Sequence, residues 1–193
     1  MFSIKIEPPN ALSECYSPPL EQENDKDLYC LEFNLKRQTY PNWCWASIAE
    51  ACGRYFRLGK YTQRQFVLSY FSGQSPDLVS GIETSDRQAR LDEVLKEVGC
   101  FSHWSFGRPT FERIYHEIKA KRPVFVSLEW KLSGCHYVAI SGCAFEKKEI
   151  LIDDPASGPS WQSFHSFPLK YRNKGAVWQG TYWVEVPEEK HKN

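Results

Sequence analysis

The hydrophobic pattern of this 193-residue chain changes period near Pro123, and that one change narrows what it can fold into. Before it, apolar residues recur three and four apart: Trp45, Ala49, Cys52 and Phe56, then Leu91, Val94, Leu95 and Val98, then Ile114 and Ile118. Such spacing puts one apolar stripe on a helix. After it come β-branched and aromatic runs, Val124 to Leu128, Tyr137 to Ile140, Glu149 to Ile152 and Thr181 to Val186, broken by Gly134 and Gly142. Those read as strands. Helices first and strands second predict a segregated α+β fold, not the alternation of a doubly wound sheet.

Local signals set the expected boundaries. Asn42, after Pro41, is the expected N-cap of a helix running through Phe56, with Gly53 weakening its end. Further helices are expected at Thr62 to Phe71, Asp86 to Val98 with Gly99 as the stop, and Phe111 to Ala120. Leu31, Phe33 and Leu35 alternate with polar residues and predict a short strand that opens the domain. Residues 1–30 carry Pro8, Pro9, Pro18, Pro19 and the polar run Glu21 to Asp27, and read as an N-terminal arm. One domain, 31–186, and a charged tail, 187–193, complete the organisation.

Composition excludes several function classes. Lys plus Arg equals Asp plus Glu at 24 each, so no domain-wide basic field exists to draw in nucleic acid or an anionic membrane. The apolar runs are too short to cross a bilayer, and the N-terminus lacks the basic and apolar regions of a secretory signal. The expectation is a soluble chain, not exported by the general secretory route. Seven cysteines, an odd number, favour a reducing compartment, and the absence of any Cys-x-x-Cys pair argues against a structural metal. No cofactor is expected, and the oligomeric state is open.

The chemistry points to a thiol. Cys44 falls in the first turn of the predicted helix, where unpaired N–H groups and the helix dipole favour a thiolate. Gln38, six residues earlier, is placed to bring its carboxamide NH₂ opposite the Cys44 N–H, two donors converging on one oxygen. His136 opens a strand just after Gly134, at the mouth of the sheet, as an acid/base partner. The strand Glu149 to Ile152 ends in Asp153 and Asp154, either of which can orient an imidazole. Asp154 is preferred, because neighbours on a strand face opposite ways.

Three landmarks in this order, Gln38 with Cys44-Trp45, Gly134-x-His136-Tyr-Val-x-Ile140, and Asp154-Pro155, resemble the papain-like cysteine peptidases. Within them the chain is most similar to the compact bacterial avirulence-type proteases delivered by type III secretion, which are related to the leader-processing peptidase domains of bacteriocin exporters. Asn42-Trp-Cys-Trp-Ala46 favours the avirulence type. The Asp-Cys-Gly of the exporter peptidases and the Cys-Gly-Ser-Cys-Trp of eukaryotic papain relatives are both absent, and the third member here is Asp, not Asn. The resemblance spans about residues 31–186. It implies a helical half headed by Cys44, an antiparallel half carrying His136 and Asp154, a cleft for an extended peptide, and a protein or peptide as substrate. With the polar arm, it also implies that residues 1–30 serve export or are removed by self-cleavage.

Blander readings accompany these. A Cys-His-Asp set equally suits a glutamine deamidase, a transglutaminase-like enzyme or an isopeptidase, since it fixes the acyl intermediate and not the acyl donor. A non-catalytic binding module on the same fold is a third reading. Trp45 is expected in the core, whereas Trp43 stands between core and a substrate-facing position. His165 is the rival general base, His116 is expected to face solvent, and Cys135 is expected to pack inside with no chemistry.

Overall fold

A computed structural model of the protein describes residues 28–73, 86–130, 134–173 and 175–185. Its elements run β1 (Leu28–Cys30), α1 (Cys44–Tyr55), α2 (Gln63–Ser72), α3 (Leu91–Val98), β2 (Phe101–Phe106), α4 (Phe111–Lys119), β3 (Val124–Trp130), β4 (Gly134–Ala144), β5 (Glu149–Asp154), β6 (Gly158–Ser163), a 3-10 turn (Tyr171–Asn173) and β7 (Val177–Val184). The seven strands form one antiparallel sheet in the order β2-β7-β3-β4-β5-β6, with β1 pairing the far end of β4. The fold is α+β, as the change of period predicts.

Side-chain alternation divides the sheet into two buried faces. Phe125 and Ala139 meet α1, α2 and α3 through Trp45, Ile48, Phe66, Leu91, Val94 and Leu95. Val124, Val126, Leu128, Val138 and Ile140, from the same strands, meet α4 through Phe111, Ile114 and Ile118. Because successive residues point to opposite faces, β3 and β4 are apolar throughout their middles instead of half polar. Helix α1 is buried from Cys44 to Gly53, which explains its run of alanines: neighbours approach from every side.

Several boundaries differ from expectation. The residues 31–35 form no strand; the strand lies at Leu28–Cys30, three residues inside the expected arm, and Phe33 packs under the sheet. Helix α3 begins at Leu91, not Asp86, because Asp86 is used elsewhere: it accepts the Asn42 N–H at 2.8 Å. Strand β2 interposes between α3 and α4 and pairs with β7, so the segregation of helices and strands is incomplete. Half-exposed aromatics without a clean period hide β2 in the sequence. Its Trp104 lies across Gly180, where an added Cβ would stand 2.3 Å from the indole nitrogen. Strand β6 was likewise not expected. Residues 1–27 of the arm and the tail 187–193 lie outside the described residues.

Other signals match their elements. Thr62 caps α2 in a reciprocal capping box with Gln65, and Gly99 ends α3 with φ 89°. Thr110 caps α4 by accepting from Arg113 N–H.

Candidate active site

Cys44 is the first residue of α1. The cap is Trp43, whose side chain makes no capping hydrogen bond, and not Asn42, whose N–H and carboxamide both donate to Asp86. The helix start is pinned from outside instead: Trp43 N–H donates to Tyr40 O at 3.1 Å, and the Ser47 hydroxyl donates to Lys36 O. Glu50, buried one turn on, pairs with Lys36 and Arg54, which holds the incoming segment against the helix.

The thiol is 1% exposed and abuts β4, where the Tyr137 N–H reaches the sulfur together with the Trp45 N–H of its own helix. Burial pushes it up to about 12, the two N–H groups pull it down, and Cys135 and Asp154 add to the rise. The sequence predicts a thiolate from the helix start, but burial acts against it and favours the thiol. A helix end offers roughly 0.3–2 kcal/mol to an anion, whereas taking an anion out of water costs several times more.

His136 and Asp154 are joined. His136 Nε2 lies 2.8 Å from Asp154 Oδ1, with the aspartate side chain fully enclosed. Strand register sets this pair: β4 and β5 match Ala139 with Asp153 and Ile140 with Ile152. Asp154 therefore shares the α4-side face with Ile152 and Ile140, whereas Asp153 points to the other face near Ser141. Burial would raise Asp154, but the His136 ring, the Tyr171 hydroxyl and the Ala156 N–H overcome it and hold the carboxyl well below the usual range. Asp153 lacks those donors, and burial pushes it up to about 6. With Nε2–H donating to Asp154, the neutral imidazole leaves Nδ1 as its acceptor. Among the described residues no hydrogen bond joins that ring to Cys44.

Gln38 is tethered beside this pair, since its N–H donates to Pro155 O at 2.8 Å. Arg37 reaches Ala156 O and Ser157 O from the same segment, and Gln63 holds the segment to α2 through Arg37 O and the Thr39 N–H. The carboxamide is turned away from its expected role. Its nitrogen donates to both Tyr40 O and Pro41 O, while Oε1 is buried and meets no hydrogen-bond partner among the described residues. Exchanging the two amide ends would set oxygen against two carbonyls, so the orientation is determined by its surroundings.

A cysteine heads a buried helix, a histidine stands at the mouth of a neighbouring strand and an aspartate at the end of the next, all on an α+β frame. A family model described as the papain-like cysteine protease AvrRpt2 matches residues 25–174. The chain belongs to this family. No curated protein matches it. The match runs from just before β1 to just after the 3-10 turn, and so takes in every residue of the candidate site in this AvrRpt2-family chain.

The remaining predicted residues fall as follows. Trp43, offered as a substrate-facing residue, is 1% exposed and packs in the α1-side core with its ring 4.5 Å from Tyr40, which leaves no face for a peptide. It is a core residue because the helix start itself is buried. Trp45 is enclosed as expected and donates its indole N–H to Arg87 O at 3.1 Å. His165 is exposed in the turn after β6, and His116 is exposed on α4. Cys135 is half-buried on the face that also carries Tyr137.

Sequence reading missed Tyr171 and Arg172. The Tyr171 hydroxyl donates to Asp154 Oδ2 at 2.6 Å, and Arg172 Nη2 donates to the same oxygen and to Ser157 Oγ. No periodicity surrounds them, and a contact between residues 17 and 18 apart has no local signal. Among the described residues no helix is long and apolar enough to cross a membrane.

Proposed function

We propose that this AvrRpt2-family chain hydrolyses peptide bonds in protein substrates through an acyl-enzyme on Cys44. The observation that carries the reading is the His136 Nε2 to Asp154 Oδ1 hydrogen bond beside a sulfur already seated on the Tyr137 N–H. In this reading Asp154 fixes the ring so that Nδ1 receives the Cys44 proton as the sulfur attacks the carbonyl carbon. The resulting oxyanion is held by the Cys44 N–H and by Gln38, once substrate turns its carboxamide away from Tyr40 O and Pro41 O. The tetrahedral adduct collapses, the C–N bond breaks, and His136 Nδ1–H protonates the leaving amine. Water, deprotonated by Nδ1, then attacks the thioester, releasing the acid and restoring the thiol. An effector role, with delivery by a specialised export system and a host protein as target, rests on the family alone.

One observation favours a second reading, a docking module without turnover: the thiol is buried, which disfavours its ionisation, and both Gln38 amide hydrogens are engaged. Incubation with a peptide library, read by mass spectrometry for new termini and for an acylated chain after acid quench, separates the two. The protease reading expects cleavage and a Cys44 thioester in the wild type and neither in Cys44→Ala. Cleavage that persists in Cys44→Ala overturns it, ammonia release without new termini selects a deamidase, and no product in either leaves the docking module.

A further inference from the structure

The Asp154 carboxylate has two oxygens and four donors. Oδ1 takes His136 Nε2 at 2.8 Å and the Ala156 N–H at 2.7 Å; Oδ2 takes the Tyr171 hydroxyl at 2.6 Å and Arg172. A carboxylate so occupied can neither rotate nor offer its other oxygen to the imidazole. The Ala156 contact is a local turn that an aspartate before proline makes unaided. The Tyr171 and Arg172 contacts come from a separate segment, and Arg172 holds φ 53° and ψ 26°, a left-handed backbone that residues other than glycine rarely adopt. A segment held in that conformation at the residue that reaches Asp154 is over-determined by its surroundings, among them Phe167 against the Tyr171 ring.

We propose that Tyr171 and Arg172 are positioning residues: they lock Asp154 through Oδ2 so that only Oδ1 faces His136, and the Arg172 charge cancels much of the carboxylate's charge. Asp154 then acts on the ring chiefly as a hydrogen-bond acceptor and less as a counter-ion. An imidazole oriented chiefly by a hydrogen bond is suited to accept a proton from a thiol that burial keeps from ionising by itself. The inference rests on the protease reading for its purpose, though not for its geometry.

Among the described residues the groups that face His136 are few. Asp154 meets it from β5, with Tyr171 and Arg172 behind, and Trp130 lies 6.2 Å away on β3. Cys44 on α1 meets the backbone of the next residue, Tyr137, and Cys135 precedes it on β4, with Glu129 of β3 acting on Cys135. Among the described residues Arg172 is the Lys or Arg paired with Asp154, so neutralising it has a definite sign. Loss of a positive charge favours the protonated ring and moves its titration to higher pH.

The test is proton NMR of the His136 ring, assigned by its loss in His136→Ala and titrated in the wild type, Arg172→Gln, Arg172→Lys and Tyr171→Phe. The expected result is a midpoint displaced upward by about half to one pH unit in Arg172→Gln, since a single partly exposed charge acts at the low end of the usual range. Arg172→Lys is expected to stay near the wild type, and Tyr171→Phe to move up by less than Arg172→Gln. Midpoints for Arg172→Gln and Tyr171→Phe that coincide with the wild type overturn the proposal, whatever happens to stability. If Arg172→Gln fails to fold, Tyr171→Phe decides by itself, because it deletes one Oδ2 donor and keeps the ring. No substrate enters the measurement. A shifted midpoint in a chain without peptidase activity would sink the protease reading and leave the clamp, and an unshifted one in an active protease would do the reverse.

Discussion

The two sides of the site are built to opposite standards. On the base side every polar atom of Asp154 has partners, its side chain is enclosed, and His136 is held in one tautomer. On the nucleophile side the thiol is buried and pushed up to about 12, the Gln38 nitrogen is engaged with its own loop, and Gln38 Oε1 is buried and meets no hydrogen-bond partner among the described residues. The contrast teaches that orientation is prepared in advance while charge is not. In the proposed mechanism the base is held ready, and the nucleophile must still lose its proton when substrate binds.

The largest test of that contrast deletes the reacting groups. Cys44→Ala and His136→Ala are each expected to lower kcat/KM for peptide cleavage by about four orders of magnitude or more, and by similar amounts, since the two act as a unit. A His136→Ala variant that keeps a tenth of the activity would break the comparison, because the prepared side would then be irrelevant.

Asp154→Asn comes next. It removes the acceptor that sets the tautomer, with an expected loss of about 10²–10⁴ in kcat. It also leaves Arg172 without its carboxylate, at a cost of about 2 kcal/mol, discounted because Arg172 is a third exposed. Asp154 is held below its unfolded value, so its stabilisation is present above about pH 4 and is lost as pH falls through the lower folded value. Urea melts at pH 7 and pH 5 should therefore show the same wild-type advantage, narrowing only in stronger acid. An advantage that vanishes by pH 5 would mean that the carboxylate is not held as described.

Gln38→Ala sharpens the nucleophile side. If the carboxamide turns toward the oxyanion in the working state, kcat falls by about 10²-fold with KM little changed. An unchanged kcat accompanied by a changed melting temperature would mean that Gln38 only ties the loop to Tyr40 and Pro41.

The smallest effects compare neighbours. Asp153, raised to about 6, binds its proton more tightly when folded, so stability is complete below about pH 4 and is lost as pH rises through 6. Asp153→Asn is expected to be more stable than the wild type by on the order of 2 kcal/mol at pH 7 and equal to it near pH 4, by urea melts. Iodoacetamide mapping of the unliganded chain should label exposed Cys30 before Cys44, with the Cys44 rate still rising above pH 9. A Cys44 rate that reaches its plateau below pH 7 would show a thiolate already formed and erase the difference between the two sides.

Much of this was legible beforehand. The 3.6 period located α1 and α4 closely, and the alternation of strand faces separated Asp154 from Asp153. Polar residues at the helix starts were less informative. Asn42 and Asp86 both look like caps, yet they bond to each other across the domain, and α1 and α3 start later as a result. Strands β2 and β6 were missed because an edge strand needs no buried stripe of its own. Trp43 was undecidable in sequence, since an aromatic beside a helix start packs or faces solvent according to what covers it.

By itself the sequence determined the class of fold and the residue types able to do the chemistry, because periodicity and the order of Gln38, Cys44, His136 and Asp154 are local or ordinal facts. Only the tertiary structure decided the burial of the thiol, the turned-away carboxamide and the second pair of donors on Asp154. Each of those depends on groups far apart in the chain that exclude water from one another. Electrostatic state is set by that exclusion, and no local pattern records it.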